Sequence, residues 1–198
     1  MSVATRILVV CTGNICRSPA VELLLAARLP LPLTVRSAGT AAVVGAPIAP
    51  PMAARLDAAG VPIGRFAARQ LTRAMIEQAD LILTATRAHR SAVVSIEPTA
   101  VRRTFTLTEF ARTIPTADQA SLTHADPAAR LGVLVTHARL SRSRLRLPPD
   151  VIDIPDPFRQ PDEVYAAVFA TISGAVGLIA DALTTGTVIH GSHRRMSA

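Results

Sequence analysis

The chain has 198 residues, 49% of them apolar, and a formal net charge of +7. That is enough for one compact domain with a core, argues against global disorder, and is short for two domains. All 21 basic residues are Arg, a basicity compatible with an anionic partner, but one Tyr, five Phe and no Trp offer few stacking platforms, so nucleic acid is not expected as that partner. Two cysteines, Cys11 and Cys16, are too few and too close for a secreted disulfide scaffold, and a reducing, cytoplasmic setting is expected.

The first residues lack the charged start, apolar middle and small-residue cleavage site of a signal peptide. Instead Arg6-Ile7-Leu8-Val9-Val10 is short and branched and runs into a Gly-Asn turn, the pattern of a strand buried on both faces of a parallel sheet. From Ser18 the sequence supplies a small polar cap, Pro19 at the first helical position, Glu22 in the first turn, then Val21, Leu24 and Leu25 at helical spacing. A second strand is predicted over 33–36, closed by Ser37-Ala38-Gly39-Thr40, then a helix over 52–59 ended by Gly60. A helix over 73–78, a buried strand over 80–85, a helix over 87–95 and a weaker strand over 104–107 complete the alternation. It predicts an α/β domain of βαβ units, with ligands at the carboxyl ends of the strands.

Residues 114–150 read as an insertion holding one helix, 127–140, and a mobile segment over 141–149. The uncharged stretch from Val164 to Ala180 is diluted by Ala, Gly, Thr and Ser, which predicts a closing helix buried against the sheet rather than an integral membrane segment. The domain is thus expected over 1–185, with a flexible tail over 186–198.

The segment Cys11-Thr12-Gly13-Asn14-Ile15-Cys16-Arg17-Ser18 carries the chemistry. A short loop between a strand and a helix turns successive backbone N–H groups inward as a nest, and the helix start adds its free amides and positive dipole end, which suits a tetrahedral dianion. Gly13 and Asn14 are residue types that tolerate unusual backbone angles. Arg17 adds a planar fork for two phosphate oxygens. Cys11, at the base, faces the amides, surroundings that favour a nucleophilic sulfur anion, and Ser18 can donate to that sulfur. The five His are scattered without ligand spacing, so no metal is expected; His89, near a strand end, is read as an ordinary core or surface residue.

This segment resembles the signature of the low-molecular-weight protein tyrosine phosphatase family. The likeness extends through Ser37-Ala38-Gly39-Thr40, Ala68-Arg69-Gln70-Leu71, Ala79-Asp80-Leu81-Ile82-Leu83 and Asp156-Pro157-Phe158. The resemblance implies a four-stranded parallel sheet with helices on both faces and a phosphate-binding loop after the first strand. It also implies Cys11 as nucleophile, Arg17 as phosphate clamp, Asn14 and Ser18 as loop supports, Asp156 as general acid, and no cofactor. Substrate would contact Thr12, Gly13, Asn14, Ile15, Cys16, Ser18 and Phe158.

Expelling a phenolate is slow unless the leaving oxygen is protonated, so a carboxyl must reach the loop. Asp150, Asp153 and Asp156 compete, and Asp156 matches the family position. The activity implied is hydrolysis of phosphotyrosine in a protein or peptide through a phosphocysteine, with inorganic phosphate as product. Ile15 stands where the arginine-phosphatase branch carries Thr, which favours phosphotyrosine. Val44 stands near a rim position that is Trp or Leu in some relatives, leaving Phe158 and Tyr165 as the available rings. Cys16 reads either as a redox guard for Cys11 or as a small buried residue. Phe66 and Arg159 stand where relatives often have His and Gly.

Two other functions fit the loop. One is a non-catalytic phosphate-binding module. The other is an arsenate reductase, which needs relay cysteines that are missing after Cys16.

Overall fold

The computed structural model describes residues 5–118, 122–123, 126–142, 144 and 148–184. Four strands, β1 (Thr5–Cys11), β2 (Leu33–Gly39), β3 (Leu81–Thr84) and β4 (Thr104–Thr106), form an all-parallel sheet in the order β2-β1-β3-β4. The helices are α1 (Arg17–Ala26), α2 (Pro50–Ala58), α3 (Arg73–Glu77), α4 (Arg87–Ile96), α5 (Leu107–Thr113), α6 (Pro127–Ser141), α7 (Pro149–Ile152) and α8 (Asp162–Thr184).

The period of two in β1 builds the layers. Ile7 and Val9 join the larger core with α1, α2, α5, α6 and α8, whereas Leu8 and Val10 join a smaller one with Ile76 of α3 and Val93 of α4. Strand β1 is therefore apolar on both faces, and helices cover both sides of the sheet, as the sequence predicts. The second strand runs past its predicted end, through Ser37, Ala38 and Gly39, because those residues pair in register with Val9, Val10 and Cys11. Helix α8 is long and apolar enough to cross a membrane by length and composition. Its Tyr165, Val168, Ile172, Val176 and Ile179 are nevertheless buried, and it packs on α1, α2, α5 and α6. Of the predicted mobile segment over 141–149, residues 143 and 145–147 lie outside the described residues, but Ser141 closes α6, Pro149 opens α7 and Arg142 pairs with Glu109 at 2.9 Å; the predicted tail over 186–198 lies outside the described residues.

Neighbours of β1 lie on opposite sides: the chain leaves it first toward β2 and later returns toward β3. At such a switch point the connections diverge and leave a crevice beyond the carboxyl end of the strand. Cys11 is the last residue of β1.

Candidate active site

Residues 12–16 close a loop between β1 and α1. Its carbonyls are drawn outward by the stretch after β2. The amides of Thr40, Ala41, Val43 and Ala49 donate to the carbonyls of Cys11, Thr12, Gly13 and Ile15 at 2.8–3.0 Å. The amides of residues 12–16 make no hydrogen bond among the described residues, so they are free for an anion inside the loop. Close approach of the two segments requires Gly39, where a Cβ would lie 2.3 Å from the Thr12 carbonyl oxygen. The left-handed position in the loop is Asn14, at φ 53°; Gly13, expected to share that duty, is not in that region.

Asn14 and Ser18 lie behind the loop, both almost fully buried. The Asn14 amide nitrogen donates to Ser18 Oγ at 2.8 Å and to Ser37 Oγ at 2.7 Å, while its Oδ1 accepts the Arg69 amide at 2.8 Å. Ser18 Oγ, having accepted from Asn14, has its own proton free for Cys11 Sγ, 3.0 Å away. Ser37 Oγ in turn donates to Glu22, which is buried and ion-paired with Arg69 at 2.7 Å. Sequence reading placed Ser18 as the helix cap and Glu22 in the first turn. In the structure α1 begins two residues earlier, at Arg17, with Cys16 at the cap position and no side-chain cap; Ser18 serves the sulfur, and Glu22 lies beyond the first turn and anchors the network.

Arg17 is 4% exposed. Its Nη2 lies 2.5 Å from Asp156 Oδ2, its Nη1 donates to the Ile154 carbonyl at 3.1 Å, and its Nε has no hydrogen-bond partner. Asp156 precedes Pro157 in the loop between α7 and α8 and accepts the Phe158 amide on Oδ1 at 3.2 Å. The loop is held by the Ile154 amide on the Ala85 carbonyl at 2.9 Å and by Asp153. The Asp153 carboxylate accepts the first amide of α4, from Arg87 at 2.7 Å, and pairs with the guanidinium of the same residue at 3.1 Å. Asp153 is thus engaged as a fastening for the loop, whereas Asp156 faces the sulfur's cleft.

A cleft of about 190 Å³ is lined by Cys11, Thr12, Gly13, Ile15, Cys16, Arg17, Asp156 and Phe158, with Ala41 and Val43 completing the rim. The rim residue is Val43 rather than Val44, because the Val43 amide bonds the Gly13 carbonyl and draws that residue to the loop. Of the two rings, Phe158 is half exposed at the cleft and Tyr165 is core, with its hydroxyl 3.9 Å from Cys16 Sγ. Burial pushes the Cys16 thiol up to about 11, against the Tyr165 hydrogen bond. Both cysteines are free and buried.

Residues 6–132 match the model of the low molecular weight phosphotyrosine protein phosphatase family. The chain belongs to that family. A phosphatase of the family from Salmonella typhi, Wzb, is 42% identical over 93 residues, 47% of this chain and 62% of the relative. A probable one from Ralstonia nicotianae, EpsP, is 40% identical over 104 residues, 52% of this chain and 71% of the relative. The chain therefore aligns with about three fifths of the length of the Salmonella phosphatase. Among solved structures of the same fold, the YwlE arginine phosphatase of Geobacillus stearothermophilus superposes with a TM-score of 0.67 at 29% identity, covering 91% of this chain and 94% of that one. The tyrosine phosphatase Wzb of Escherichia coli K30, in complex with sulphate, gives 0.66 at 25% identity, covering 91% and 99%.

Four residues bonded to the loop or to its supports escaped functional assignment from sequence: Glu22, Ser37, Arg69 and His89. Ser37 and Arg69 lie in two of the four further segments that carry the family resemblance, and that placement is the signal that could have found them. Glu22 and His89 carry no local signal of their part in the site, since the partners that tie them to it, Ser37 and Thr12, are 15 and 77 positions away.

Proposed function

We propose that this protein is a protein-tyrosine phosphatase that hydrolyses phosphotyrosine through a phosphocysteine. One observation carries the reading: Cys11 Sγ, with Ser18 Oγ at 3.0 Å, lies at the base of a loop of unpaired amides, in one cleft with the Arg17 and Asp156 pair. An incoming phosphoryl dianion takes up the loop amides and the Arg17 guanidinium, including the otherwise unpartnered Nε. Cys11 sulfur attacks phosphorus. The S–P bond forms, the P–O bond to the tyrosine breaks, and protonated Asp156 gives its proton to the leaving oxygen. The Ser18 hydroxyl steadies the sulfur before attack and as it leaves. A water then attacks phosphorus and passes a proton to Asp156, the S–P bond breaks, and inorganic phosphate departs.

The substrate side of the reading rests on Ile15, Val43 and Phe158, an apolar slot suited to a phenyl ring. Ile15 offers no hydrogen bond to a guanidinium, which favours phosphotyrosine over the phosphoarginine that the name of the Geobacillus relative implies for that protein. A single domain over 1–185 with an insertion over 114–150 belongs to the same reading, supported by the packing of α6 on α5 and α8. So does a cytoplasmic setting, supported by the two free cysteines.

The test compares the wild type with Cys11→Ser on an aryl phosphate and on phosphotyrosine and phosphoarginine peptides. The wild type hydrolyses the aryl phosphate and prefers the phosphotyrosine peptide, and the variant loses turnover. Equal rates in wild type and variant would remove the catalytic proposal and leave a phosphate-binding module.

A further inference from the structure

Beside the cleft, His89 makes a hydrogen-bond chain that the two-step scheme does not use. Its backbone amide donates to Thr86 Oγ1 at 3.3 Å, and the same oxygen lies 2.7 Å from its own ring Nδ1. The other ring nitrogen, Nε2, lies 2.9 Å from Thr12 Oγ1. A hydroxyl has one proton and two lone pairs. Thr86 Oγ1 already accepts the amide, and Nδ1 is the acceptor within reach of its proton. With the Thr86 hydroxyl donating to Nδ1, the ring proton is on Nε2 and points at Thr12, whereas a proton on Nδ1 would reverse both bonds.

Burial, reinforced by the nearby Arg17 charge, pushes the His89 imidazole down to about 4, so the ring is neutral at pH 7 and has only that one N–H to give. With the proton on Nε2, Thr12 Oγ1 accepts from His89 on one lone pair, and Arg17 Nη2 donates to the same oxygen at 3.5 Å. The Thr12 proton is left to point elsewhere. Thr12 is exposed and lines the cleft, and with His89 as the donor no second acceptor for its proton is within hydrogen-bond distance among the described residues.

We propose that the His89 ring proton sits on Nε2 and is donated to Thr12, and that the Thr12 side chain so oriented donates a further hydrogen bond to the phosphoryl oxygen taken by Arg17. Thr12 is then a binding group for the oxyanion, additional to the loop amides, and His89 is a positioning residue that acts through it. The inference rests on the phosphatase reading and adds a side-chain donor to a site otherwise built from main-chain N–H groups and one guanidinium.

The experiment measures kcat and KM on an aryl phosphate and the inhibition constant of orthovanadate. The proteins are the wild type, Thr12→Val, Thr12→Ser, His89→Leu, His89→Gln and the double variant Thr12→Val with His89→Leu. A hydrogen bond to a charged group is lost in Thr12→Val, so kcat/KM and orthovanadate affinity both fall about 10- to 100-fold. Thr12→Ser, which keeps the hydroxyl, stays within about 3-fold by the same reasoning. His89→Leu falls nearly as far as Thr12→Val, His89→Gln recovers part of the loss through its amide N–H, and the double variant is no worse than Thr12→Val alone.

Unchanged orthovanadate affinity in Thr12→Val, or additive losses in the double variant, would overturn the proposal while leaving the phosphatase reading intact. Thr12→Val and Thr12→Ser decide it even if His89→Leu does not fold, because Thr12 is a surface position. A wild type that neither turns over aryl phosphate nor binds orthovanadate would sink the phosphatase reading and the proposal with it.

Discussion

Burial of His89 next to Arg17 lowers its imidazole to about 4, opposed in part by the carboxylates of Asp156 and Asp153. In the unfolded chain the same group titrates near 6.5. Between those two values the unfolded state binds the proton and the folded state does not, so acidification favours unfolding. The stability that His89 contributes as a neutral ring is present above about pH 6.5 and is lost as pH falls toward about 4. Thermal melts at pH 7 and pH 5 should therefore show a smaller Tm difference for His89→Gln than for the wild type; an equal difference would assign the acid sensitivity to other groups. The loop proposed to bind the anion is legible in the sequence because its residues are contiguous, Cys11 to Ser18. Their supports were not, because Glu22, Ser37, Arg69 and His89 come from four separate places and are joined only by the fold.

At the scale of elements, the loop before α8 brings a carboxylate from the far end of the chain to a loop near its start. Sequence left Asp150, Asp153 and Asp156 as rivals, since a general acid is defined by where it points. The structure separates two of them by partner: Asp153 caps α4 and pairs with Arg87, whereas Asp156 meets Arg17. Asp156→Asn should lose about 10²- to 10⁴-fold in kcat on alkyl or unactivated aryl phosphates and much less on activated ones. Asp153→Asn loosens the fastening of the loop and should cost less, with little dependence on the leaving group. Rate constants across a leaving-group series check both, and a steeper leaving-group dependence in Asp153→Asn would reverse the assignment. Of the elements themselves, β1 and α1 were read almost to their ends because apolar period and turn residues agree there. The end of β2 was missed because Ser37-Ala38-Gly39 looks like a turn and is held as strand only by pairing with β1.

Across the whole molecule, the strand order places the end of β1 at the one point where successive connections diverge, and the helices on both faces hold the sheet rigid beneath it. Strand and helix patterns foretold a βαβ domain with β1 buried on both faces, and the family resemblance implied helices on both sides of the sheet, but neither could say which connection crosses which face. The loop over Cys11, the stretch after β2 that turns its carbonyls away, and the loop carrying Asp156 thus converge from three parts of one domain. The measurement that tests this account most directly is a rapid acid quench of the Asp156→Asn variant during turnover of an activated aryl phosphate, followed by peptide mass spectrometry. Without its base the second step is slow, so a single phosphoryl group should accumulate on the peptide containing Cys11 and be absent in Cys11→Ala. Release of the aryl product with no phosphorylated Cys11, or with the phosphoryl group on another residue, would contradict it.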